Sequence, residues 1–101
     1  MQKIKTSTIL EIVSTVTNIP VSDIISKSRK QEIVLARHIS MYCSRFKTSL
    51  NLLTIAQNHG KNNHATVIHA CENINFDIKT NKTVRETVQE IETLINSQTS
   101  K

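Results

Sequence analysis

The chain has 101 residues, 38% of them hydrophobic and 3% aromatic, with a single glycine and a single proline. That length suits one domain with an aliphatic core, and so little glycine and proline leaves few hairpin turns, so an all-α domain is expected over 1–101, with its core at about 7–96. Lys and Arg number 13 against 8 Asp and Glu, a formal charge of +5, which suits a polyanionic partner without requiring one.

Ser7 to Thr17 carries Ile9, Ile12, Val13 and Val16 at helical spacing. Ser7 or Thr8 is the expected cap, with Glu11 in the first turn. Asn18 and Pro20 close this helix, because the residue before proline avoids the α region. Val21 to Ser26 reads as a short helical turn, and Lys27-Ser28-Arg29-Lys30 as a basic loop. The longest helix is expected from about Gln31 to Phe46, with Leu35, Ile39, Tyr42 and Phe46 as its core stripe. Lys30 and Arg37, seven apart, are expected on a different face that extends the positive surface of the loop.

Thr48 to Asn51 ends that helix and starts another, whose apolar positions are Leu52, Ile55 and Ala56. Asn58 to Lys61 is a turn around the only glycine. The next helix runs from about Asn63 to Asn75, with Val67, Ala70, Cys71 and Ile74 inward and Asn62 or Asn63 as the cap. A last helix, about Val84 to Ile95, has Val84, Val88, Ile91 and Ile95 on one stripe, and Thr83 with Glu86 forms a capping box. Asn96 to Lys101 is expected to fray.

Charge is unevenly placed. Lys27, Arg29, Lys30, Arg37, Arg45 and Lys47 face the single acid Glu32, whereas acids prevail from Glu72 to Glu92. Cys43 and Cys71 lie inside helical patterns and read as reduced core thiols. His59, His64 and His69 are five apart, which rotates successive residues by about 140° instead of returning them to one face, and no acid lies between them, so no metal site is expected. His69 reads as structural, and His64 as a base reader or a core or capping histidine. One glycine cannot build a phosphate-cradling loop, and no catalytic triad spacing is present, so neither an enzyme nor a cofactor is expected. No stretch approaches the ~20 apolar residues of a membrane span, so the expected setting is cytoplasmic and nucleoid-associated.

Two helical patterns joined by a short glycine-bearing turn are the mark of a helix-turn-helix, whose second helix enters the DNA major groove. Here that helix opens on Asn62, Asn63, His64 and Thr66, small polar residues at the end able to reach base edges. The segment Gly60-Lys61-Asn62-Asn63-His64-Ala65-Thr66-Val67-Ile68-His69-Ala70, together with Asp23-Ile24-Ile25-Ser26-Lys27, Arg29 and Ala36-Arg37, resembles the C-terminal DNA-binding domain of the bacterial replication initiator DnaA, over nearly the whole chain. The resemblance implies a Trp-repressor-like helical bundle that binds duplex DnaA-box-like sites. It implies base contacts from Arg29 in the minor groove and from Arg45, Leu53, Asn63, His64 and Ala65, and phosphate contacts from Lys27, Arg37, His38, Thr48 and Thr66.

The chain departs from the family signature at four points. An Asp is Asn63, a hydroxyl residue is Ala65, a glycine-arginine pair is Lys61-Asn62, and basic loop residues are Gln31 and Glu32. A carboxylate only accepts and suits cytosine, whereas an amide also donates and suits adenine; a kept binding mode with shifted or relaxed base preference is therefore expected. A full initiator carries an ATPase module ahead of this domain. Nothing in this chain could be one, so it is read as an excised domain or a stand-alone binding module that binds no nucleotide. Two alternatives stay open: a protein-interaction module that kept the fold, and a small transcriptional regulator.

Overall fold

A computed structural model describes residues 4–99. Six helices follow one another: α1 (Thr6–Thr17), α2 (Val21–Ile24), α3 (Gln31–Lys47), α4 (Leu52–Asn58), α5 (His64–Thr80) and α6 (Lys82–Thr99), with no strand among the described residues.

α3 is the spine, because it carries buried residues for two cores. One joins α1, α3 and α6 through Ile9, Val13, Ile39, Cys43, Val88, Ile91 and Ile95. The other joins α3, α4 and α5 through Met41, Ile55, Ala56, Val67, Ala70 and Cys71. Tyr42 packs against both. Each fully buried isoleucine contributes roughly 1.5–3 kcal/mol, which is how a bundle with a β-branched α1 holds helices of modest propensity.

Several boundaries differ from expectation. α1 begins at Thr6 with Lys5 at the cap position and no side-chain cap, instead of at Ser7 or Thr8. Its far end closes as expected, with Asn18 in the left-handed region (φ 61°) donating its N–H to the Ser14 carbonyl. α5 runs five residues past Asn75, because its second half leaves the α4 core and packs Ile74 and Ile78 into the α1–α3–α6 core. α6 starts at Lys82, with Asn81 Oδ1 accepting from the Val84 N–H at 3.1 Å. Asn81 therefore takes the role assigned to Thr83, whose hydroxyl lies inside the helix. Asn96–Thr99 continues α6 instead of fraying, and Ser100 and Lys101 lie outside the described residues. Phe46, expected in the core, is 57% exposed at the last turn of α3. Cys43 and Cys71 are both buried free thiols, and burial pushes Cys43 up to about 12.

Candidate nucleic-acid interface

The turn between α4 and α5 is built by its own sequence. Asn51 opens α4 by accepting from the Thr54 N–H at 2.9 Å. The helix closes after Asn58, where the His59 and Lys61 amides donate to Ala56 and the Gly60 amide donates to Gln57. This satisfies terminal carbonyls with a left-handed glycine just past the helix end. Gly60 has φ +77°, and a Cβ added there would lie 2.5 Å from the Ile25 carbonyl oxygen. Only glycine lets the turn press against the backbone beside the basic loop.

Beneath the turn, His59 is fully buried. Its Nδ1–H donates to the Ile55 carbonyl at 2.7 Å, since a carbonyl only accepts, and Nε2 therefore accepts from the Ser40 hydroxyl at 2.7 Å. Burial lowers the His59 pKa below the ordinary value and outweighs the Ile55 bond, which raises it. The neutral ring pins α4 to α3.

α5 then starts as the sequence suggests. Asn63 is the cap, its Oδ1 accepting from the Ala65 N–H at 2.8 Å. Asn63 and His64 are exposed, and Ala65 and Thr66 are half-buried. Behind them Val67, Ala70 and Cys71 are buried against α3 and α4. Asn63 thus both caps the helix and presents the rest of its amide outward.

The loop between α2 and α3 carries Lys27, Arg29 and Lys30, all exposed. The Ser26 hydroxyl donates to the Asp23 carbonyl at 2.6 Å and accepts from the Ser28 N–H, while the Ser28 hydroxyl accepts from the Lys30 N–H. Arg37 is not on the solvated basic face expected from its spacing to Lys30. It is 4% exposed, with Nε donating to Ile24 O at 2.6 Å and Nη2 to Ser26 O and Ser28 O at 2.8 and 3.1 Å. The helix turns this residue inward, where the loop's carbonyls replace water as its partners.

The loop and the α4–α5 turn share one electrostatic field. The Lys61 pKa is lowered by partial burial and then by the charges of Arg37, Arg29 and Lys27. His38 is likewise lowered, first by burial and then by Arg37, with Asp77 opposing. Lys61 is the cation that sequence reasoning left off the site; its place beside the only glycine was the available signal.

The remaining candidates are more scattered. The Thr48 hydroxyl donates its one proton to the Ser44 carbonyl at 2.6 Å and accepts from the Leu50 N–H, closing α3. Leu53 is 45% exposed in the first turn of α4. Arg45 is exposed and lies 5.6 Å from the centre of the Phe46 ring, and its charge opposes the burial that raises the Cys71 pKa. His69, expected to be structural, is solvent-exposed and 3.8 Å from Glu72. Among the described residues no three His, Cys, Asp or Glu gather as metal ligands, and no helix is long and apolar enough to cross a membrane.

An all-α bundle in which a short glycine-bearing turn joins two helices, the second opening on exposed polar residues, defines a helix-turn-helix domain. Residues 6–74 match the family described as bacterial dnaA protein helix-turn-helix, and the chain belongs to that family. It is 38% identical over 87 residues to the chromosomal replication initiator protein DnaA of Bacteroides thetaiotaomicron, covering 86% of this chain and 18% of that protein. The DnaA of Porphyromonas gingivalis is similar to the same extent. That of Lactobacillus delbrueckii subsp. bulgaricus is 36% identical over 89 residues, 88% of this chain and 20% of the relative. The chain thus spans about a fifth of the length of these relatives.

Proposed function

We propose that this domain binds duplex DNA, placing the start of α5 in the major groove and the α2–α3 loop in the adjacent minor groove, and that it serves replication initiation or its control at DnaA-box-like sites. The observation that carries this reading is the union of two elements. The exposed start of α5 and the exposed cations of the loop are joined through the contact of Gly60 with Ile25, and Lys61 senses the charges of Arg29 and Lys27. An α-helix fits the major groove, and arginine is drawn to the negative potential of a narrow minor groove.

In this reading Asn63, His64 and Ala65 meet base edges, Arg29 enters the minor groove, and Leu53 and Arg45 contact bases at the rim. Lys27, His38 and Thr66 meet phosphate. Thr48 would offer phosphate little through a hydroxyl already committed to Ser44. The domain acts by binding, without catalysis, cofactor or metal. Asn63 and Ala65 shift its base preference from the family's ordinary one.

Fluorescence anisotropy on a DnaA-box duplex and a scrambled duplex at two salt concentrations tests the reading. Tighter binding to the box, weakened by salt, is expected. Equal, salt-sensitive binding to both would retain phosphate binding and reject box preference. No binding at low salt would reject the DNA reading. A second reading, docking of a protein partner, is favoured by Phe76, 66% exposed beside a groove of about 360 Å³ formed with Val34, Leu35 and His38. Salt-insensitive association with a partner would support it.

A further inference from the structure

We propose that Arg37 is a positioning residue for the α2–α3 loop, holding Arg29 in register with the start of α5, and that its effect on DNA passes through the loop instead of through a phosphate. The proposal rests on the DNA-binding reading above.

Three of the five N–H groups of its guanidinium are bonded to the carbonyls of Ile24, Ser26 and Ser28, alternate residues of the segment that leads to Arg29. The Ile24 carbonyl is the last of the short helix α2 and those of Ser26 and Ser28 follow it, so none has a further helical turn or a strand to pair with. A planar fork sets donors on separate nitrogens, Nε and Nη2, against carbonyls spread along the segment, whereas the three donors of a lysine ammonium all leave one point. The guanidinium is also largely withdrawn from solvent, at 4% exposure, and burial pulls its pKa down. A side chain meant to grip phosphate would be expected at the surface, as Lys27, Arg29 and Lys30 are.

The other side of the loop meets Gly60, whose missing Cβ admits the Ile25 carbonyl. The loop is thus held from α3 by Arg37 and set against the turn that starts α5. A bipartite reader needs this fixed geometry, because the minor-groove arm and the major-groove helix must reach the same duplex together.

Arg37→Lys keeps the charge and removes the fork, so it separates the two roles. Duplex binding is measured for wild type, Arg29→Ala, Arg37→Lys and the double variant. Arg37→Lys is expected to lose A·T preference beside the site as Arg29→Ala does, with the double variant within about twofold of Arg29→Ala. Losses that multiply, with base preference intact in Arg37→Lys, would overturn the proposal.

A second measurement needs no DNA. Trypsin cleavage after Lys27, Arg29 and Lys30 is expected to quicken at least about tenfold in Arg37→Lys while the helical signal stays. Unchanged cleavage would overturn the proposal even if the wild type bound no duplex, an outcome that separately removes the DNA reading. If Arg37→Lys does not fold, the wild-type Arg37 Nε–H resonance decides. It is expected to be protected in free protein and unshifted by the duplex. Protection that arises only on adding DNA would overturn the proposal.

Discussion

At the residue scale, Asn63 carries two roles that one substitution separates. Its Oδ1 caps α5 through the Ala65 N–H, and Asp caps a helix as well as Asn does while adding a charge that the helix N-terminus favours. Asn63→Asp is therefore expected to leave the unfolding midpoint near wild type and to move base preference towards the family's ordinary box, read by a panel of single-base-substituted duplexes. An unchanged panel would reduce Asn63 to a cap. The cap role was legible because Asn precedes an apolar-periodic run; its orientation towards a partner was not, since that depends on where α5 lies on α3.

His59 makes the opposite case. Nothing in its spacing separates it from the exposed His64 and His69, yet it is the buried pin between α3 and α4. Because its folded pKa is depressed below 6.5, the unfolded chain binds a proton that the folded chain refuses as pH falls. Stability is fully present above about pH 6.5 and is lost progressively below it, and His38, also depressed, adds in the same direction. Thermal unfolding is expected at a lower temperature at pH 5 than at pH 7.5, and a midpoint independent of pH would contradict the neutral His59–Ser40 pair. Ser40→Ala leaves Nε2 without its donor and is expected to cost about 1–3 kcal/mol in denaturant unfolding at pH 7.5.

At the element scale, helices α4 and α5 depend on a turn that one methyl would spoil. Gly60→Ala meets both a positive φ and the Ile25 carbonyl. Backbone strain of this kind costs on the order of 1–3 kcal/mol, and the contact is with backbone, which has little room to yield. The variant is expected to melt lower and to weaken duplex binding together, because the displaced element is the basic loop. A melt equal to wild type would show that the turn relaxes freely. The glycine's place between two helical patterns was readable; the close approach to Ile25 was not, because the two residues meet only in the fold.

α1 offers the converse experiment. Its cap position is Lys5, which supplies no side-chain acceptor and places a positive charge at the positive end of the helix. Lys5→Ser is expected to stabilise by about 0.5–2 kcal/mol, measured by denaturant titration. A loss of stability would mean that Lys5 packs in a way its exposure does not suggest. The expected cap at Ser7 or Thr8 failed because the helix begins earlier, at Thr6, which puts both hydroxyl residues inside the first turn and leaves Lys5 at the cap position.

At the scale of the whole molecule, function turns on how charge is distributed over the bundle. Lys27 and Arg29 of one loop lie close enough to Lys61 of another for their charges to lower its pKa, and Lys30 is exposed on the same loop as Lys27 and Arg29. If about four phosphates are neutralised there, log Kd should rise by about 3.6 per tenfold increase in salt. A slope near zero over 50–300 mM would show that the cations do not grip a backbone.

The local patterns were written in the sequence: helical stripes, the breaks at Asn18 and Pro20, the cap at Asn63 and the family signature from Gly60 to Ala70 all depend on residues a few positions apart. Periodicity places a residue on a helix face but does not say which neighbour covers that face. That is why Phe46 was assigned to the core, Arg37 to a solvated surface and α5 to an end at Asn75. The bundle decided each of these: Phe46 lies at the exposed end of α3, the carbonyls at the end of α2 and in the loop after it draw Arg37 inward, and packing into the α1–α3–α6 core extends α5. The joining of the basic loop to the start of α5, through Gly60 and Ile25 thirty-five positions apart, exists only in three dimensions, because contact at that separation is fixed by helix packing and not by any local pattern.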